Sequence, residues 1–163
     1  MIEVRKIQAD DASQLLALID ALADYEKLDP PDSAAKARLI RDLFAEHPRV
    51  ESYLAIVDGV AAGYTFIFET YSTFLALPTL YLEDLFVLPE YRSQKVGSAL
   101  FRAMVQEAHQ RGCGRMEWTV LDWNQLAVDF YERYGAKRMR EWFPYRLVRA
   151  DMELITGVTR TTS

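Results

Sequence analysis

A mixed α/β sheet of six to seven strands, with about four helices on its two faces, is the fold class this sequence predicts. The expected order is β-α-α-β-β-β-α-β-α-β-β. Three observations predict it. Two apolar runs meet at Asp58-Gly59, a strong hairpin signal, and a hairpin makes antiparallel neighbours. A helix-period segment at about 96–111 separates two strand-like runs, and a crossover helix makes a parallel neighbour. Leu15, Leu18, Ile19 and Leu22 recur at i, i+3, i+4 and i+7, one face of a helix.

The elements follow in order. "IEVRKI" alternates apolar and charged residues and reads as a first strand. "DDASQLLALIDALADY" is a helix with Asp10 or Asp11 as its cap. "KLDPPD" breaks it, because proline removes a donor and fixes φ. "SAAKARLIRDLFAEH" is a second helix, with Leu39, Ile40, Leu43 and Phe44 facing inward. "SYLAIVDGVAAGYTFIFETY" is the hairpin, and "STFLALP" is a loop or a strand continuation. A strand at about 78–88 leads through the Pro89–Lys95 loop into the helix at 96–111, which buries Val96, Leu100, Met104 and Ala108. "RMEWTVLD" is a strand. "NQLAVDFYERY" is a helix, with Asp122 or Asn124 near its cap and Gly135 past its end. "AKRMREWFPYRLVR" holds one or two final strands. With no repeat or linker, residues 1–155 are expected to form a single domain, followed by a flexible tail at 156–163.

Composition narrows the function. The chain has 163 residues, half of them hydrophobic, which suits one domain with a real core. The net charge of −5 argues against nucleic acid as the main partner, since phosphate backbones need clustered Lys and Arg. It is compatible with a cationic substrate. A single cysteine, Cys113, precludes an intrachain disulfide, and its place just past a helix suggests an inert thiol. "MIEVRKIQADDASQLL" has no basic stretch followed by an apolar one, and no run reaches the roughly 18 apolar residues of a membrane span. A cytoplasmic protein without a membrane or nucleic-acid partner is expected. His47 and His109 form no metal-ligand cluster and read as surface residues, so no metal is expected.

The chemistry concentrates in "LYLEDLFVLPEYRSQKVGSALF", residues 80–101. Glu83 and Asp84 interrupt an apolar strand, where charges are costly unless paired or useful. Strand alternation puts them on opposite faces, so they are expected to do different jobs. The turn Arg92-Ser93-Gln94-Lys95-Val96-Gly97-Ser98 opens a helix, and helix N-termini offer unpaired N–H groups to anions. The order is neither a P-loop nor a dinucleotide fingerprint.

"EYRSQKVGSALF" resembles the acyl-CoA motif of the GNAT N-acetyltransferase superfamily, which reads Arg/Gln-x-x-Gly-x-Gly/Ala. Arg92 and Gly97 match. Lys95 stands where the family usually has its first glycine, and Ser93 replaces another frequent one. If its backbone needs a positive φ, Lys95 clashes with a pyrophosphate or folds outward and pairs with it; the second is expected. "LADYE", "AEHP", "YLEDLFV", "DWNQLAVDFYERYGA" and "YRL" extend the likeness over residues 2 to 155. They are similar to the diamine (spermidine/spermine) acetyltransferase branch and its thialysine-acetylating relatives.

The resemblance implies transfer of acetyl from acetyl-CoA, as co-substrate, directly to a small primary amine in a ternary complex. Phe86 and Val87 would hold the pantetheine arm and the thioester through their backbone. Amides of Arg92, Ser93, Gln94, Lys95, Val96, Gly97 and Ser98 would hold the pyrophosphate. Asn124 would touch the cofactor arm. Tyr131 would protonate the leaving thiolate, a task that suits a neutral phenol. Glu83 would bind the amine and take its proton, directly or through water. Asp84 would be a structural acid bonded to backbone or to an arginine. Glu26 and Tyr71 would contact the substrate. Ser72, Trp142 and Phe143 stand where the branch carries acids, so a short diamine, thialysine-like or amino acid-like amine is expected ahead of spermine. Acetylation of a protein or peptide amine, or a catalytically weak acyl-CoA-binding sensor, remain the alternatives. The branch implies a homodimer, with "EWFPYRL" at the interface or in the chain's own core.

Overall fold

The structure is a computed structural model, and it describes residues 1–157. It divides into two units, Met1–Thr119 and a second that starts at Val120. The expected flexible tail falls largely on residues 158–163, outside the described residues. Among the described residues no helix is long and apolar enough to cross a membrane.

The first unit holds a five-stranded sheet in the order β1-β2-β3-β4-β5. The strands are β1 (Ile2–Lys6), β2 (Glu51–Val57), β3 (Val60–Ser72), β4 (Leu77–Val87) and β5 (Arg115–Glu117). The first four pair antiparallel, and β4 pairs parallel with β5. The β2–β3 hairpin turns at Asp58 (φ 48°) and Gly59 (φ 85°), two successive left-handed residues that suit the strand twist. The helices are α1 (Ala12–Glu26), α2 (Ser33–Leu43) and α3 (Val96–Gln110).

Two apolar clusters flank the sheet. Leu15 and Leu18 of α1 and Leu43 of α2 pack with Tyr64, Phe66 and Phe86. Val96 and Leu100 of α3 pack with Ala55, Val57 and Val87. All four residues expected inside α3 are buried, as is Phe101. Phe44 is not, because α2 ends at Leu43 and the chain leaves the helical face there. Asp32 caps α2 by accepting from the Ala35 amide at 2.8 Å. Asp11 precedes α1, yet its carboxylate takes two bonds from Arg5 at 2.7 and 2.8 Å and one from the Gln8 amide. The Arg5 bond, against the opposing cost of burial, holds its pKa below the usual carboxylate value.

The second unit contains α4 (Gln125–Arg133) and α5 (Arg149–Thr156). Asn124 caps α4 through a bond from the Ala127 amide at 3.2 Å, and Gly135 follows with φ 84°. The fold class is the expected mixed α/β one, with five strands instead of six to seven and five α-helices among the described residues. The difference lies after residue 117. "RMEWTVLD" is a strand for three residues, and "AKRMREWFPYRLVR" forms no strand. A run rich in aromatics makes a strand when a neighbour supplies a ladder, and Pro144 lacks a donor for one. The helix α5 follows this segment instead, with Asp151 accepting from the Val148 amide at 3.3 Å.

Candidate active site

The site in the first unit is built around the end of β4. From Leu77 to Val87 this strand pairs with β3, but its parallel ladder with β5 covers Thr79, Leu80 and Tyr81 alone. From Leu82 onward the β5 side of the strand has no ladder partner among the described residues. Backbone groups on that edge are open to a ligand that lies along it, and Phe86 and Val87 are the last residues of the strand.

The register also breaks there. Ile67 faces Leu82 and Phe66 faces Asp84, so Glu83 is an extra residue, a β-bulge. Simple alternation does not hold across it. Glu83 is exposed. Asp84 is half-buried and shares a face with Phe86 and with Tyr64 and Phe66 across the ladder. Its partner is not the backbone or arginine expected from the sequence. The Tyr64 hydroxyl donates to Asp84 Oδ2 at 3.0 Å. A tyrosine fully inside the core needs an acceptor for its hydroxyl, and the nearest acid supplies it.

Burial pushes the Asp84 carboxyl up to about 6; the Tyr64 bond pulls it back, and the charges of Glu83 and Glu26 add to the rise. Burial likewise raises Glu26, at the C-terminal end of α1. Burial and the Asp84 charge raise the Tyr64 phenol, so it stays a neutral donor. Glu26, Glu83 and Asp84 therefore act on one electrostatic neighbourhood. This is a place where a cationic group gains from all three.

The loop after β4 is shaped by Arg92. Its amide donates to the Pro89 carbonyl at 3.2 Å and its Nε to the Val87 carbonyl at 3.1 Å. Its guanidinium lies 4.5 Å over the Tyr25 ring and 5.7 Å from the Phe86 ring centre. Arg92 thus ties the end of β4 to the end of α1, and its amide is not free for a ligand. The amides of residues 93–98 meet no acceptor among the described residues. Ser93 (φ 67°) and Lys95 (φ 66°) both adopt the left-handed conformation that favours glycine. These are the two positions where the sequence departs from a glycine pattern, so the backbone keeps the glycine geometry without the glycines. Lys95 caps α3, and its side chain is exposed. Free amides at a helix N-terminus fit a phosphate.

Other expected residues lie elsewhere. Tyr71 pairs with Pro78 near the β3–β4 turn, five residues along β3 from Phe66. At about 3.3 Å per residue this is on the order of 16 Å from the acids, so the structure does not bring Tyr71 to them. Ser72 is buried, and its hydroxyl accepts from the Leu75 amide at 3.2 Å, which makes it a turn residue. In the second unit, half-buried Tyr131 lies on α4 with its ring 5.1 Å from Phe130, edge on. Asn124 is occupied as the α4 cap. Trp142 and Phe143 are exposed. Among the described residues no group of His, Cys, Asp and Glu is arranged to hold a metal ion.

Two contributors escaped the sequence reading. Tyr64 carried no motif. Gly63 carried a signal, since a glycine within an apolar strand marks a close approach. A Cβ there would lie 2.5 Å from the Phe86 carbonyl oxygen.

The acetyltransferase (GNAT) family pattern matches residues 15–136, three quarters of the chain. This chain belongs to the GNAT acetyltransferase family. It is therefore an acyltransferase, and the family uses acetyl-CoA. It is 32% identical to a thialysine N-epsilon-acetyltransferase of Sus scrofa over 94% of this chain and 96% of the relative. It is 39% identical to the L-ornithine N5-acetyltransferase NATA1 of Arabidopsis thaliana, over 70% of this chain and 51% of that protein. Among solved structures, an integron cassette protein from V. cholerae superposes with a TM-score of 0.80 at 23% identity, covering 95% of this chain and 97% of the other. A structure of AAC(6')-Iy with a CoA-containing bisubstrate analogue gives 0.72 at 22% identity, covering 91% and 99%. These two likenesses bear on the fold alone, and it is the family match that names it GNAT.

Proposed function

We propose that this GNAT protein transfers the acetyl group of acetyl-CoA directly to a small primary amine, a diamine or a thialysine-like or amino acid-like compound, in a ternary complex. The observation that carries the reading is the bulge at Glu83. It sets Glu83 and Asp84 beside the open edge of β4, within reach of the charge of Glu26. An alkylammonium, protonated at neutral pH, is drawn to such a group and gives up a proton there.

The neighbouring groups take the remaining tasks. The backbone of Phe86 and Val87 holds the pantetheine arm and donates to the thioester oxygen as charge develops. Amides of residues 93–98 cradle the pyrophosphate, on a loop that Arg92 fixes in place. Asn124 touches the cofactor arm. Tyr131 returns a proton to the leaving thiolate. Glu26 and Glu83 orient the ammonium. The named activities of the relatives on thialysine and ornithine support a short substrate, and the absence of acids at Ser72, Trp142 and Phe143 supports it further. A cytoplasmic homodimer goes with this reading. Trp142, Phe143, Tyr145 and Leu147 are exposed apolar groups that a second copy would cover.

The test is CoA release from acetyl-CoA with a panel of thialysine, ornithine, short diamines, spermine and a lysine peptide. Thialysine, ornithine or a short diamine is expected to turn over best. Tyr131→Phe is expected to lower kcat by about 10- to 100-fold with little change in KM for the amine. A clear preference for spermine or for the peptide would overturn the substrate class. Binding of acetyl-CoA without turnover of any amine would leave a sensor.

A further inference from the structure

Proton removal from the amine has two carboxylates to choose between, and their surroundings differ. Glu83 is exposed on the bulge and has no cross-strand partner. Asp84 is half-buried and fixed by a buried hydroxyl on a rigid strand. Tyr64 occupies Oδ2, and Oδ1 has no partner among the described residues. The groups that face Asp84 are Tyr64 from β3, Glu83 from β4 and Glu26 from α1. Arg92, on the loop after β4, is engaged with the Val87 carbonyl and the rings of Tyr25 and Phe86.

We propose that Asp84 is the general base of the acetyl transfer and that Tyr64 is its positioning residue. This rests on the function proposed above. The Asp84 carboxylate accepts a proton from the bound ammonium at Oδ1. The free amine then attacks the thioester carbonyl: a C–N bond forms, the C–S bond breaks, and the second nitrogen proton balances the one returned to the thiolate through Tyr131. Asp84 releases its proton to solvent, so each turnover gives one amide, one CoA thiol and one proton. A general base works best with a pKa close to the working pH, and the burial that raises Asp84 moves it that way. Glu83 and Glu26 bind the ammonium.

The discriminating experiment measures kcat against pH for thialysine acetylation by wild type, Asp84→Asn, Tyr64→Phe and Glu83→Gln, with thermal unfolding of each. Wild type is expected to show an acidic limb in log kcat. Asp84→Asn keeps the shape and an acceptor for Tyr64, and is expected to lose about 10²–10³-fold in kcat. Glu83→Gln is expected to act mainly on KM for the amine. Tyr64→Phe removes the bond that lowers the Asp84 pKa, so its limb is expected to move to higher pH while kcat on the plateau falls less than tenfold. A merely structural tyrosine would not move the limb. Retention of kcat within about threefold in Asp84→Asn, or an unmoved limb in Tyr64→Phe, overturns the proposal. If Asp84→Asn fails to fold, the Tyr64→Phe limb decides. Wild type that releases no CoA with any amine of the panel sinks the proposed function itself, whereas the variant results sink the assignment of Asp84 alone.

Discussion

The two ends of β4 are one strand in two environments. At Thr79–Tyr81 the strand is paired on both sides and its Leu80 is wholly buried. At Leu82–Val87 it is paired on one side, bulged at Glu83, and carries both of its acids. The apolar content of the two ends is similar, with Leu80, Leu82, Phe86 and Val87 all buried. What separates them is the length of β5. Three residues of parallel partner close one end, and the absence of more among the described residues leaves the other open. The proposed chemistry sits where the ladder stops, because there the backbone is held on one side and open on the other.

Cutting the core at each end is expected to give the largest effects. Leu80→Ala at the closed end should cost about 3–4 kcal/mol, a transfer loss plus a cavity, with kcat per folded molecule changed by less than about twofold. Gly63→Val at the open end should cost a similar ~3 kcal/mol, because its Cβ meets the Phe86 carbonyl oxygen within 2.5 Å. It should also cut turnover by about tenfold or more, since that clash displaces the end of β4. Urea unfolding and CoA-release kinetics on both variants check this. Equal losses of kcat, or none at either end, would break the contrast.

Asp84 gives the next effect, through pH. Its folded pKa of about 6 lies above the usual carboxylate value of 3.8, so the folded state holds the proton more tightly than the unfolded one. The stabilisation is fully present below about pH 4, falls as pH rises through about 6, and is gone above it. With partial solvent screening it amounts to about 2 kcal/mol. Asp84→Asn is therefore expected to be more stable than wild type at pH 7.5 by roughly 1–2 kcal/mol and not more stable at pH 4. Denaturant midpoints at the two values test it. An acid that is costly to the fold is what the proposed role of Asp84 in the chemistry leads one to expect.

How far the sequence showed this contrast follows from the physics of each signal. Periodicity and turn chemistry are local, so α1, α3, the Asp58-Gly59 hairpin and β4 itself were legible within a residue or two. The acids and the loop stood out because charge and a non-helical turn interrupt an apolar pattern. The bulge did not, because it depends on the register against β3, and an alternation rule assumes none. The Tyr64–Asp84 bond joins residues twenty apart and leaves no trace in either segment alone. The final strands failed for a related reason. "EWFPYRL" has the composition of a strand, but a strand is a relation to a neighbour, and composition does not supply one.

The loop beyond the open end yields the smallest predicted change in stability, and it bears on why Lys95 is there. Lys95 holds φ at 66° and places a cation at the N-terminus of α3, where the helix dipole is positive. The conformation costs a non-glycine residue about 1 kcal/mol and the charge a few tenths more. Glycine removes both costs but adds unfolded-state freedom, so Lys95→Gly should stabilise the free protein by about 0.5 kcal/mol. Lys95→Met removes the charge and keeps the backbone cost, so it should gain less. With acetyl-CoA the order should reverse. A cation beside the amides of residues 93–98 favours a bound pyrophosphate, and both variants should show a smaller ligand-induced rise in Tm than wild type. Thermal shifts with and without acetyl-CoA separate the two contributions. If Lys95→Gly instead bound acetyl-CoA as tightly as wild type, Lys95 would be a tolerated departure at a glycine position, and the amides alone would carry the phosphate.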